Sequence, residues 1–236
     1  MQRVGALVAR TLATLRAAVR PGVTTGRLDL LAARAFAEAG ATSGPMDFVG
    51  FPGTICISVN EEVVHGVPGA RRLRDGDLVT LDVTPVLDGY CADAAVTVPV
   101  GRPSPAGRRL LRAAETCMRA AVRAAVTGAP LSAIGAAAER AARHAHVAVY
   151  PELTGHGIGR AMHEPPTVPN VAIAGLRRPL NEGLVLAIEP MVGLGDTDLV
   201  VREDGWTIAA ADGSLSAHAE HTVAVRAAHP DVLTAA

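Results

Sequence analysis

The sequence predicts an α+β fold made of two similar halves, on three observations. Residues 73–82 read LRDGDLVTLD and residues 180–189 read LNEGLVLAIE, with the same spacing of Leu, Gly and a closing acid. Each closing acid is followed later by a second one heading an apolar strand: Asp93 before Ala94-Ala95-Val96, and Glu220 before His221-Thr222-Val223. Helical patterns precede the strands of the first half and recur in the middle of the chain. The expectation is one domain over residues 1–236, with an internal repeat at roughly 1–125 and 126–236.

Each element has a local reason. Residues 2–19 place Val4, Leu7, Val8, Leu12 and Leu15 on one helical face, and Pro21-Gly22 ends that helix. Thr24 or Thr25 caps a second helix that runs to Ala39 and stops at Gly40. Residues 54–60 and 77–84 are rich in β-branched side chains and predict strands. Leu87-Asp88-Gly89-Tyr90 carries the Asp-Gly hairpin signal, with a return strand over 92–100. Residues 106–127 and 131–147, rich in Ala and Arg, predict two helices; Pro130 starts the second and Ser132 is its expected cap. From Leu153 onward strand and loop take over.

Composition narrows the function. Hydrophobic residues make up 49% and charged residues 19%, which is a globular balance. The net charge of −1 leaves no footprint for nucleic acid or anionic lipid. No segment is long and apolar enough to span a membrane, and Arg3, Arg10, Arg16 and Arg20 break up any signal-like N-terminal run. Three cysteines without metal or redox spacing point to a reducing compartment, and a cytoplasmic protein is expected.

Three groups of residues carry chemistry. Asp82 and Asp93 lie in apolar strand contexts on either side of the Asp-Gly turn, so a hairpin brings them together. Two close carboxylates need protons or cations, and hard divalent cations take carboxylate oxygens; a solvated turn is an equal alternative for such a pair taken alone. His156 stands between two glycines in T-G-H-G-I-G, and His163 opens H-E-P-P. His144, His146, His218 and His229 read as ordinary interior or surface histidines. Glu189 follows Leu184-Val185-Leu186-Ala187-Ile188, and Glu220 precedes an apolar run. An acid in such a strand is costly unless paired or ligated. Four carboxylates and one imidazole, balanced by two divalent cations, are the composition of a dinuclear hydrolase.

With these residues placed, the chain resembles the methionine aminopeptidases of the pita-bread fold, from about Val4 to Val225. The resemblance is carried by C-I-S-V-N-E at 56–61, H-G-V-P at 65–68 and L-D-V at 81–83 with Asp93. It continues through G-H-G-I-G at 155–159, H-E-P-P at 163–166, I-E-P-M at 188–191, D-G-W-T at 204–207 and E-H-T at 220–222. It implies two pseudo-symmetric halves with a curved antiparallel sheet and helices outside. It further implies a type I enzyme that acts at the ribosome and removes the initiator methionine from the N-termini of nascent polypeptides when the second residue is small.

The implied cofactors are two divalent ions drawn from Co, Mn, Fe or Zn, sharing a bridging hydroxide that attacks the scissile carbonyl. Asp82 would hold one, His156 and Glu189 the other, and Asp93 and Glu220 both. Glu189 would also carry protons. His65 and His163 would bind substrate near the scissile amide. Phe48, Phe51, Cys56, His65, Met162 and Trp206 would form the methionine pocket. A monovalent cation is implied near Asn60 and Ser216, and a monomer is expected. Phe48 and Phe51 stand where Tyr is common in bacterial relatives, and Met162 where an aromatic is common. A proline aminopeptidase or prolidase shares the five ligands but lacks the D-G-W-T match. A non-catalytic binding module would have lost ligands that are present here.

Overall fold

The structure is a computed structural model that describes residues 1–235. Helix α1 (Gln2–Ala18) buries Val4, Leu7, Val8, Leu12 and Leu15. Helix α2 (Thr25–Ala39) opens with the Thr24 hydroxyl accepting the Arg27 N–H at 3.2 Å and closes on Gly40 in the left-handed region. Strands β1 (Cys56–Val59), β2 (Leu78–Val83) and β3 (Ala94–Pro99) form an antiparallel sheet with β2 in the middle. Between β2 and β3 a tight hairpin pairs Val86 with Cys91, and its tip residues Asp88 and Gly89 have φ of 52° and 73°. Two positive φ values are what the I′ hairpin turn demands, and the Asp-Gly pair supplies them.

The 54–60 strand is shorter than expected because the N–H groups of Thr54 and Ile55 go to the Asp29 carboxylate, at 2.7 and 3.0 Å, instead of a neighbouring strand. At its other end Asn60 turns to φ 63°. A π-helix at Pro45–Val49 had no sequence signal.

Helices α3 (Pro105–Ala124) and α4 (Ser132–Ala145) pack on each other. Ser104 caps α3 through the Gly107 N–H at 3.0 Å. Ser132 does not cap α4; it is already the first helical residue, and the turn is started by the Pro130 carbonyl accepting from Ala133 N–H at 2.8 Å. No further α-helix follows among the described residues. The strands of the second half that position the site are β4 (Thr154–Gly157), β5 (Glu164–Pro169), β6 (Val185–Ile188), β7 (Met191–Gly193), β8 (Ser216–His218) and β9 (His221–Ala224). The sheet order is β5–β4–β6–β9, all antiparallel, with Asp231–Val232 added beyond β9, while β7 pairs with β8 on one side and Ala148–Val149 on the other. Among the described residues no helix is long and apolar enough to cross a membrane.

Two large apolar clusters result, beside two small ones. One joins α1 and α2 to β1, β2 and β3, through residues such as Leu15, Leu28, Ile57 and Leu81. The other joins α3 and α4 to β6, β8 and β9, through Leu110, Ile134, Leu186 and Val223. A short antiparallel ladder links them. Val96 bridges Ala219, and the Glu220 N–H donates to the Ala95 carbonyl at 2.9 Å. A threonine clamps each end. The Thr222 hydroxyl accepts from Asp93 N–H at 2.7 Å and donates to the Asp93 carbonyl at 2.8 Å. The Thr97 hydroxyl does the same for the backbone of His218, at 2.8 and 2.9 Å.

Thr222 is fully buried, so Thr222→Val leaves the Asp93 N–H and carbonyl without partners in a dry place. The expected loss is about 1–3 kcal/mol, read as a lower urea midpoint at unchanged slope. An unchanged midpoint would show that the clamp contributes nothing.

Candidate metal centre

The ladder sets where the acids stand. In the β2–β3 register Asp82 faces Ala95 and Val83 faces Ala94, so Asp93 falls on the same face as Asp82, one step towards the turn. Thr84 donates to Asp93 Oδ1 at 2.8 Å and fixes its rotamer. Glu189 comes directly after β6, and Glu220 directly before β9, which pairs with β6. His156 sits on β4 opposite Ala187 of β6. Its two flanking glycines have a packing reason: a Cβ on Gly155 would strike the Ala187 carbonyl, and one on Gly157 the Pro165 carbonyl. Strand β4 is squeezed from both sides, and only its His side chain projects. His156 Nδ1 lies 2.9 Å from the Gly157 carbonyl, which suits the Nδ1–H tautomer and leaves Nε2 free.

Asp82, Asp93, His156, Glu189 and Glu220 all line one cavity of about 250 Å³. No Arg lines it, and the chain has no Lys. Burial, followed by repulsion from Asp93, holds Asp82 well above the usual carboxylate range. Burial and then the neighbouring acids do the same to Glu189 and Glu220. Burial raises Asp93 as well, opposed by the Thr84 hydroxyl. Glu220 is 3% exposed, and its Oε1 has no hydrogen-bond partner. Two triads are close enough to share one ion: Asp93, His156 and Glu220, and Glu189, His218 and Glu220. Crowded carboxylates without cationic side chains, together with an orphaned carboxylate oxygen, fit divalent cations.

The apolar wall comes from Phe51, Cys56, Met162 and Trp206, with His65 and His163 also lining the cavity. Phe51 and Trp206 meet edge to face at 5.4 Å between ring centres. Cys56 pairs with Asp82 in the β1–β2 register, and burial keeps its thiol protonated. D-G-W-T is a built loop: Asp204 Oδ1 accepts from Trp206 and Thr207 N–H, both at 2.8 Å, and Oδ2 from the Thr207 hydroxyl at 2.6 Å. His65 is held at φ 56°, a strained conformation for a residue with a side chain. His163 precedes β5 after a turn whose N–H groups, from Arg160 and Ala161, are gathered by Glu164. Its ring stacks edge to face on His156 at 4.3 Å.

Two residues differ from expectation. Phe48 lies outside the cavity lining and is 46% exposed, because the π-helix turns it outward and presents Pro45 and Val49 instead. His218, read as an ordinary histidine, is buried at 2% exposure beside Glu189 and Glu220. Burial, with the charge of His65, lowers its pKa to about 3, so it is neutral. The signal was present: His218, Glu220 and Thr222 alternate, which puts them on one face of an extended segment. Asn60 and Ser216 are brought together, with the Ser216 hydroxyl 3.0 Å from the carbonyls of both Asn60 and Glu62.

Comparison with known proteins agrees with this geometry. A family profile described as metallopeptidase family M24 matches residues 1–227. A methionine aminopeptidase of Treponema pallidum is 46% identical, covering 96% of this chain and 89% of the relative. Methionine aminopeptidase 1 of Mycobacterium tuberculosis is 43% identical over 99% and 91%. The crystal structure of methionine aminopeptidase from Thermotoga maritima superposes with a TM-score of 0.97 at 35% identity, covering 100% of this chain and 95% of that one. The prolidase of Pyrococcus furiosus shares the fold at a TM-score of 0.74 and 20% identity, with 100% and 63% covered. The chain has the pita-bread fold and belongs to metallopeptidase family M24, among its methionine aminopeptidases.

Proposed function

We propose that this protein is a type I methionine aminopeptidase, a metal-dependent exopeptidase that removes the initiator methionine from nascent polypeptides with a small second residue. The observation that carries it is the single cavity in which four carboxylates and His156 converge beside an apolar wall. In this reading Asp82 holds one divalent ion, His156 and Glu189 a second, and Asp93 and Glu220 contribute to both. The ions would be Mn, Fe, Co or Zn. Bound divalent cations supply a hydroxide nucleophile at neutral pH and positive charge for a polarised carbonyl oxygen.

The chain's own residues do the rest. Glu189 carries a proton from the attacking water to the leaving amine, accepting it as the carboxylate and passing it on. His163 donates a hydrogen bond to the carbonyl oxygen as negative charge grows there. His65, fixed by its strained backbone, positions the peptide at the cavity mouth. Phe51, Cys56, Met162 and Trp206 take the unbranched thioether. Phe48 has no part in that pocket. The reading includes a monovalent cation near Asn60 and Ser216, where carbonyl oxygens of Asn60 and Glu62 converge. It also includes a cytoplasmic monomer acting at the ribosome, and one catalytic domain of two half-units at roughly 1–125 and 126–236; the two main apolar clusters support two units, with α3 packing in the second of them.

Three outcomes are expected. A Met-Ala-Ser peptide should lose its methionine faster than a Met-Arg peptide, with an Xaa-Pro peptide left intact; release from the Xaa-Pro peptide alone would place the enzyme with the proline peptidases. His163→Ala should keep its metal and lose about 10²–10³ in kcat, whereas His156→Ala should lose metal. Equal metal loss in the two variants would make His163 a ligand.

The third outcome concerns metal removal. Unfolded carboxylates release their protons near pH 4, while the folded, metal-free site holds them to higher pH. The folded state then binds more protons, so stability falls as pH rises through that window. Cations remove this penalty, because binding displaces the protons. Buried histidines whose pKa is lowered, His156 and His218 among them, act in the opposite sense, so the reading is a difference: the melting temperature gained on adding Mn(II) to chelated protein should grow as pH rises from about 4. A gain that stays constant over that window would contradict the raised carboxylates.

A further inference from the structure

We infer that His218 is a positioning residue of the metal centre, whose Nε2–H holds the carboxylates of Glu189 and Glu220 by the oxygens turned away from the cations. The inference rests on the metal reading above. His218 is 2% exposed, and neither ring nitrogen has a hydrogen-bond partner among the described residues. Nothing in the wall of an apolar core explains such a group, because a buried polar atom without a partner is costly.

The distances say where the ring works. His218 Nε2 is 3.9 Å from Glu189 Oε2 and 3.7 Å from Glu220 Oε2. A shift of about 1 Å brings either within hydrogen-bond range. The other oxygen of Glu189, Oε1, lies 3.3 Å from His156 Nε2. Glu189 thus stands between two imidazoles, one on each oxygen. Glu220 repeats the pattern, with Oε2 towards His218 and Oε1 without any partner. Each carboxylate keeps one oxygen for the cavity and turns one to His218. That division suits a supporting donor, which orients a ligating carboxylate and tunes its basicity. The support is itself anchored: Thr97 binds both the N–H and the carbonyl of His218, so the ring is aimed from the opposite side of the ladder.

The test is calorimetric titration of metal-free protein with Mn(II), for wild type, His218→Leu and His218→Gln. Leu fills the space without a donor, and the Gln amide restores one. His218→Leu should bind Mn(II) about 10–100-fold more weakly, with His218→Gln recovering most of the loss. The metal-free Leu variant should melt no lower than wild type, since an unpartnered imidazole has been removed. Wild-type affinity in His218→Leu, or equal weakness in both variants, would overturn the inference. Wild type that binds no Mn(II) would instead overturn the metal reading itself. Nitrogen-15 NMR of zinc-loaded wild type decides without any variant: a protonated His218 Nε2 is expected, and a zinc-coordinated, unprotonated Nε2 would make it a ligand.

Discussion

The ladder between the Asp93 and Glu220 segments is the constraint on which the rest depends. Its register pairs Asp93 with Thr222, Ala95 with Glu220 and Thr97 with His218. Side chains alternate along extended backbone, so each acid is delivered to a common face by the pairing that joins the two apolar clusters. A slip of one residue would turn the acids to the opposite face. The threonine clamps at the two ends prevent that slip, because each hydroxyl is both donor and acceptor to one opposing residue.

Bringing these groups together works against the fold. Four carboxylates crowd one cavity, three of them holding their protons well above the usual range. The apolar clusters on either side supply the stability that tolerates this, and they are made largely of Val, Leu, Ile and Ala. Divalent cations turn the same crowding into an asset, since the site is already desolvated and its ligands already placed. The apolar wall next to it then needs only a slot for an unbranched side chain. In the proposed function Phe51, Trp206 and Met162, which line the cavity, would build that slot, and the loop carrying Trp206 is stiffened by the Asp204 carboxylate.

Much of this was legible in the sequence where a local rule applies. Asp88-Gly89 marked the hairpin that carries Asp82 to Asp93, because few other pairs accept two positive φ values. The glycines around His156 announced close approach, and the neighbouring strands are what approach. The misses have non-local causes. Strand β1 lost its first residues to the Asp29 carboxylate, a partner far away in sequence. Phe48 is turned outward by a π-helix that no residue pattern signals. His218 was hidden because small neighbours, Ala217 and Ala219, made its segment look like plain core, and a break separates β8 from β9. Alternation puts it on one face with Glu220, but only the ladder, set by residues more than a hundred positions earlier, shows that this face turns to the acids.

The central claim is that the ladder places one carboxylate from each side where it serves both cations. Calorimetric titration of metal-free wild type and Asp93→Ala with Mn(II), checked by metal analysis, tests it most directly. The account predicts two ions in wild type and the weakening of both in Asp93→Ala, since no site is complete without the shared carboxylate. An Asp93→Ala variant that keeps one site at wild-type affinity while the other is lost would contradict it.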